Sequence, residues 1–159
     1  MKNLRFILLF IVMLSVVQNF SQRNIRTGAV PELPVQTIAG DLTAELMLHK
    51  PAIIYFWGSW CGICTAISDT INNIFQDYSG VSIALRSGNA ATVQQYLQEK
   101  RLNWQVLNDN DGQLAEAFGV TAVPAVFIVG HDGQISAVTL GFVTETGLRV
   151  RLWWASLDF

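Results

Sequence analysis

The chain is poor in cysteine, in histidine and in charge, and each shortage narrows what it can do. Only two cysteines, Cys61 and Cys64, occur in 159 residues, and the two histidines, His49 and His131, lie far from them in sequence. A structural zinc site takes four protein ligands, so a lone Cys pair with no second pair and no nearby His argues against one. No methionine or histidine cluster accompanies the pair; Met47 and His49 stand upstream of it. Charged residues make up 14% of the chain, and ten Lys and Arg against twelve Asp and Glu give a net charge of −2. Setting aside Lys2 and Arg5 leaves eight basic residues against twelve acidic ones, about −4, with no nucleic-acid footprint. Internal repeats and low-complexity runs are also missing. What the chain has in quantity is apolar side chain, 51% hydrophobic residues, which suits a compact buried core.

The organising stretch is Tyr55-Phe56-Trp57-Gly58-Ser59-Trp60-Cys61-Gly62-Ile63-Cys64. Ala52 to Trp57 is a short apolar run between Pro51 and Gly58, the pattern of a strand covered on both faces. From Thr65 through Ile71, Ile74 and Phe75 the apolar residues recur at helical spacing. Cys61 is thereby predicted at the handover from a strand's C-terminal end to a helix's first turn, beside unpaired backbone N–H groups and the positive end of the helix dipole. Such a position favours the thiolate, the nucleophile of disulfide exchange. Cys64, one turn on, falls on the same face within disulfide reach and is the more shielded, placed to resolve a mixed disulfide by attacking the first sulfur. A bridge closing so short a loop stabilises little, since the benefit grows with loop length, so redox chemistry is the stronger reading of the pair.

Trp57 through Cys64 resembles the active-site segment of the thioredoxin-like proteins, and Val120-Thr121-Ala122-Val123-Pro124 resembles the loop that holds their cis-proline. Ala84-Leu85-Arg86-Ser87-Gly88, with Gly141-Phe142 and the run from Leu148 to Ala155, is similar to the membrane-anchored thioredoxin-like proteins of the suppressor-of-copper-sensitivity group, protein D. The resemblance extends from Val35 to Ala155. It implies a thioredoxin-like α/β fold, a central mixed sheet flanked by helices on both faces, with an extra helix-strand insertion before the cis-proline loop. Ala90 to Leu107 supplies that pair, as in relatives devoted to cytochrome maturation. The resemblance further implies that Cys61 and Cys64 are catalytic, that Val123–Pro124 is cis, and that no cofactor or metal is needed. Trp60, Gly62, Ile63, Val123 and Pro124 are the candidate substrate-binding residues. Trp60 is an apolar rim beside the nucleophile, and Pro124 leaves the Val123 backbone free to pair with an extended substrate segment.

The chain also departs from this pattern. Tyr55 stands where ordinary thioredoxins carry a buried aspartate, and Ile67 and Asp69 stand where cytochrome-maturation relatives often have a glutamate and a proline. No carboxylate base is assigned; water and Asp69 are the options. Gly62-Ile63 lacks the histidine of strongly oxidising relatives, which points to a moderately to strongly reducing couple.

Lys2 and Arg5 ahead of the apolar run Phe6 to Val17 form the n-region and h-region of an export signal. Ser15 to Gln22 offers no A-x-A-like cleavage site, which favours an uncleaved signal-anchor over 1–20; a cleaved signal peptide is the alternative. Ser21 to Pro34 reads as a linker, and 35–159 as one domain. Within it, strands are predicted at Val35 to Ile38, Ala52 to Trp57, Val81 to Leu85, Trp104 to Leu107, Ala125 to Val129 and Ile135 to Leu140. Helices are predicted at Leu42 to Lys50, after Cys64, at Ala90 to Lys100, Gln113 to Phe118 and Thr144 to Leu157. Alternating strands and helices argue for a mainly parallel sheet covered on both faces, closed by a hairpin at His131-Asp132-Gly133. Trp57 is read as core, and Trp153 and Trp154 as core packing from the last helix, with an interfacial membrane helix as the other reading.

The function expected is a cell-envelope thiol-disulfide oxidoreductase, anchored in the inner membrane with its domain in the periplasm, or soluble there after cleavage. It would reduce protein disulfides and be recharged by a membrane thiol reductase. The rival from another class is a copper(I)-binding protein in copper tolerance, with Cys61 and Cys64 as soft ligands.

Overall fold

The computed structural model describes residues 25–157. The expected signal-anchor over 1–20 lies outside the described residues, and no helix among those described is long and apolar enough to cross a membrane. Six strands form one mixed sheet in the order β1-β6-β5-β2-β3-β4. β2 (Ala52–Trp57), β3 (Gly80–Leu85) and β4 (Val106–Asp109) run parallel, while β5 (Ala125–Val129), β6 (Gln134–Leu140) and β1 (Gly28–Ala29) add antiparallel pairings. Six helices complete the described residues: α1 (Thr43–Leu46), α2 (Gly62–Ala66), α3 (Ser68–Asp77), α4 (Ala90–Lys100), α5 (Gln113–Phe118) and α6 (Glu145–Ala155).

β2 is the central strand, and every one of its residues is buried. Its side chains alternate between two cores, as a pleated strand requires. Ile53, Tyr55 and Trp57 join Ile71 and Ile74 of α3, Val93 of α4, and Leu148 and Leu152 of α6. Ala52, Ile54 and Phe56 face the other way, with Phe118 of α5 and Phe127 of β5. Phe118 and Phe127 meet edge to face at 5.1 Å, and each lies 5.1 to 5.6 Å from Phe56. Full burial of each large side chain contributes roughly 1.5–3 kcal/mol, so packing on both faces holds the strand that leads to Cys61 immobile.

Several boundaries differ from the sequence reading. The stretch 21–34, read as a linker, carries β1, whose Gly28 and Ala29 pair with Ile135 and Gln134 of β6. Ile25, Val30 and Leu33 pack against the core that holds Ile54 and Phe56, so the apolar residues of this stretch are used by the fold. Val35 to Ile38 form no strand; Gln36 makes one isolated bridge with Leu42, and Thr37 Oγ1 accepts from the Ala39 and Asp41 amides, closing a turn. Only Thr43–Leu46 of the predicted Leu42 to Lys50 helix is helical. The helix after the cysteines breaks at Ile67, with φ −102° and ψ 7°. The Ser68 hydroxyl donates to the Thr65 carbonyl at 2.8 Å, the local competition with a helix that serine offers. β4 starts two residues later than predicted and continues to Asp109.

Trp153 and Trp154 do not pack in the core. They are 57% and 62% exposed, because the buried stripe of α6 is Leu148 and Leu152, with Ala155 against the same core, and 3.6-residue periodicity turns both tryptophans outward. Trp57 is buried as read, with its indole stacked 5.3 Å from Tyr96 and its Nε1 donating to Ser82 Oγ at 3.1 Å.

Candidate active site

Cys61 and Cys64 are joined in a disulfide at the C-terminal end of β2, with their Cα atoms 5.2 Å apart. Cys61 is the N-cap of α2, in extended backbone at φ −92° and ψ 108°. The Cys64 amide donates to Cys61 Sγ at 3.1 Å, taking up one of the N–H groups that a helix start leaves unpaired. This bond reproduces with sulfur what serine or aspartate does with oxygen at an N-cap, and it aims a backbone N–H dipole at the Cys61 sulfur. Cys61 is 7% exposed and Cys64 3%. The order is the one predicted, although both sulfurs are largely covered.

The Val123 carbonyl lies 3.7 Å from Cys61 Sγ, so the chain segment 62 residues away forms the opposite wall of the site. Val123 is half-buried, Pro124 is buried, and the peptide bond between them is cis. Trp60 is 61% exposed and Ile63 49% exposed, and Gly62 is also exposed. The structure thus brings Trp60, Gly62, Ile63 and Val123 around Cys61, an open apolar rim over a covered disulfide, with Cys64 behind. A Cβ on Gly58 would stand 2.6 Å from Trp60 Cε2, so the absence of a side chain there lets the indole fold back over the turn.

The bend after β3 is the part of the site that sequence reasoning did not assign. Ser87 Oγ accepts from the Ser59 amide at 2.9 Å and donates to the Leu85 carbonyl at 3.1 Å. Trp60 Nε1 donates to that same carbonyl at 3.2 Å. Residues 59 and 60, immediately before Cys61, are therefore pinned to the end of the neighbouring parallel strand. The sequence signal was Ala84-Leu85-Arg86-Ser87-Gly88 itself, which stood out as a resemblance but carried no hint of its partner 28 residues upstream.

Behind the cysteines, Tyr55 and Trp104 meet edge to face at 5.6 Å, and neither Tyr55 OH nor Trp104 Nε1 has a hydrogen-bond partner. Burial, reinforced by nearby Tyr96, pushes the Tyr55 phenol above its ordinary value, so it keeps its proton. Asp69 is exposed on α3 and is not tucked against the sulfurs. Among the described residues no group of three or more His, Cys, Asp or Glu is placed to hold a metal ion.

A model of the AhpC/TSA family matches residues 29–138. A thioredoxin-like protein of Haemophilus influenzae is 35% identical over 159 residues, covering 98% of this chain and 94% of its own. Thiol-disulfide oxidoreductase ResA of Oceanobacillus iheyensis is 25% identical over 150 residues, covering 87% of this chain and 78% of its own. A secreted Mycobacterium tuberculosis disulfide oxidoreductase homologous to E. coli DsbE superposes with a TM-score of 0.62 at 23% identity, over 84% of this chain and 98% of that one. A thiol:disulfide interchange protein of Chlorobium tepidum does so with a TM-score of 0.64 at 21% identity, over 82% and 97%. At these identities the two structures speak to the fold, which is thioredoxin-like.

Proposed function

The chain belongs to the AhpC/TSA family, and on that premise we propose that it is a protein thiol-disulfide oxidoreductase working through Cys61 and Cys64. The observation that carries the reading is the setting of Cys61: an N-cap sulfur hydrogen-bonded by the Cys64 amide, faced by the Val123 carbonyl and ringed by exposed Trp60 and Ile63. In the dithiol form the Cys61 thiolate attacks one sulfur of a client disulfide. The client S–S bond breaks, one client sulfur leaves as a thiolate and the other joins Cys61. Cys64, as thiolate, then attacks Cys61 Sγ, which releases the second client thiolate and leaves the Cys61–Cys64 disulfide. The two electrons gained by the client come from the dithiol, and a thiol reductase restores it. Trp60, Gly62, Ile63 and Val123 hold the client segment by apolar contact and backbone pairing, with Pro124 shaping the wall.

The finer reading is that of the suppressor-of-copper-sensitivity group, protein D: residues 1–20 anchor the domain to the inner membrane, the domain faces the periplasm, and a membrane thiol reductase is the donor. The Gly62-Ile63 dipeptide and the N-terminal run of Lys2, Arg5 and Phe6 to Val17 support it. In an oxidising compartment a reducing couple works only with such a donor. The copper(I) alternative has two sulfurs to offer, and insulin reduction beside a Cu(I) titration separates the two, since a pure metal carrier does not turn over disulfides.

Expression of a Cys64→Ala variant tests the assignment of roles. It should retain clients as mixed disulfides on Cys61 that dithiothreitol releases, and Cys61→Ala should retain none. Equal trapping by both variants would reverse the roles. A redox potential as high as that of a dedicated oxidase would overturn the direction and leave the class of enzyme standing.

A further inference from the structure

The bend at residues 85–88 does more than brace the active-site loop. Its second residue, Arg86, has φ 45°, in the left-handed region that glycine takes freely and a residue with a Cβ does not. Its amide is held by the Asp109 carbonyl at 2.9 Å, and its neighbours Leu85 and Ser87 are the residues bonded to Trp60 and Ser59. The side chain of Arg86 therefore leaves the backbone at a point fixed on both sides to the residues just ahead of Cys61. Strain of this kind in a residue other than glycine is a pointer to use, provided that the side chain has something to do.

The guanidinium lies over Gly112, where a Cβ would come within 3.1 Å of Nη2 and 3.2 Å of Nε. It is exposed, and among the described residues no ion pair or hydrogen bond engages it. It forms one side of a groove of about 710 Å³ that passes Leu85, Asp111 and Glu116 and ends at Val120 and Thr121. Those last two residues lead directly into Val123 and Pro124, so the groove continues the wall beside which a client strand would lie. Asp111 Oδ1 is occupied by the Gln113 amide at 3.2 Å, and neither groove carboxylate pairs with the guanidinium.

We propose that Arg86 is a specificity residue that docks a carboxylate side chain, Asp or Glu, of the client polypeptide close to the disulfide being reduced. A planar guanidinium with five donors matches a carboxylate in two parallel hydrogen bonds, and Leu85, Ala115 and Val120 give the groove beside it apolar lining. Asp111 and Glu116 further along the groove repel a second acidic residue, which gives the preference a direction along the client. The proposal rests on the oxidoreductase reading, and the test separates the two.

Full-length protein is assayed, in its dithiol form, with disulfide peptides that differ only in carrying Asp, Asn or Lys next to the cysteine, and with hydroxyethyl disulfide, which is small and uncharged. For wild type, kcat/KM should fall in the order Asp, Asn, Lys, with Asp ahead of Asn by about fivefold at low salt. That ratio should shrink toward one between about 50 mM and 500 mM salt as screening increases. Arg86→Gln should abolish the Asp preference and Arg86→Glu should invert it toward Lys. A wild-type enzyme indifferent to Asp and Asn at low salt overturns the proposal without any variant, and so does an Arg86→Gln enzyme that loses rate equally on both peptides. Failure of wild type to reduce hydroxyethyl disulfide would instead sink the oxidoreductase reading beneath it.

Discussion

Ser87→Ala isolates the brace between the active-site loop and β3. Ser87 is 5% exposed, and its hydroxyl makes two bonds, accepting from the Ser59 amide at 2.9 Å and donating to the Leu85 carbonyl at 3.1 Å. Removal affects the two partners unequally. The Leu85 carbonyl keeps Trp60 Nε1 at 3.2 Å, so it is not stranded. The Ser59 amide is half-buried and loses its acceptor, and a stranded donor of this kind costs about 1–3 kcal/mol. For a domain of this size each kcal/mol lowers Tm by about 2–4 °C, so a fall of about 2–12 °C is expected. Urea unfolding of the oxidised protein, followed by circular dichroism, gives the free energy directly. Ser136→Ala is the comparison: its hydroxyl only donates to the Ile128 carbonyl at 3.1 Å, and that residue remains in the sheet between β2 and β6. Its cost belongs at the low end, about 0.5 kcal/mol. Should Ser87→Ala prove no more harmful than Ser136→Ala, the Ser59 amide has found water, and the brace is not what holds the loop.

The opposite face offers a cleaner packing test. Phe118→Ala removes the ring at the centre of the Phe56–Phe118–Phe127 cluster, where Phe118 is fully buried, and should cost about 3–5 kcal/mol in the same urea experiment while the Cys61–Cys64 disulfide still forms. A loss below about 1 kcal/mol would mean that the cluster collapses around the gap. Tyr55 gives a pH prediction with a definite sign. Its folded value is raised, chiefly by burial, above the unfolded value of about 10, so the folded state holds the proton longer than the unfolded one does. Stability is therefore unaffected by this group below pH 10 and falls as pH rises beyond it. Absorbance at 295 nm should show a phenol that ionises only as the protein unfolds, and Tyr55→Phe should remove that late step; ionisation of Tyr55 near pH 10 in folded protein would refute the burial argument.

How much of this was legible beforehand depends on whether the determining contacts are local. β2 and β5 were readable to the residue, because each is an unbroken apolar run with a punctuating proline or glycine, and burial on both faces demands such runs. α4 and α5 were equally plain: Asn89 caps the first through Thr92, and Gly119 in the left-handed region ends the second. β1 was invisible. A two-residue edge strand that itself includes a glycine and is soon followed by a proline is defined by β6, more than a hundred residues later, and has no period of its own. The break at Ile67 was missed for another reason, since the apolar spacing runs through it and only the Ser68 hydroxyl marks it. Trp153 and Trp154 misled because hydrophobic character was taken as burial, when the helical register set by Leu148 and Leu152 had already chosen the inner face. Within the site, Cys61, Cys64 and Trp60 followed from one contiguous motif. Ser87 did not, because its role is a bond to a backbone amide and any residue can supply the amide.

The position of Tyr55 constrains the proton chemistry of the site. A carboxylate buried behind the dithiol would be costly unless paired, and the chain avoids that cost by placing a phenol there. Among the described residues the buried carboxylate is Asp109, and it is committed elsewhere: its two oxygens accept from the Leu114 and Ala115 amides at 3.0 and 2.8 Å, capping α5. Tyr55 cannot take its place as a base, because burial makes it hold its own proton more firmly. Among the described residues no internal carboxylate is therefore placed to receive a proton from Cys64, and in the proposed mechanism that proton passes to water or to the departing client thiolate. The electrostatics that remain at Cys61 come from backbone, the Cys64 amide on its sulfur and the Val123 carbonyl opposite. Both are fixed by main-chain geometry and do not titrate. Gly62 and Ile63, between the cysteines, add no titrating side chain to that field, and the exposed Trp60 and Ile63 are left to choose what Cys61 meets.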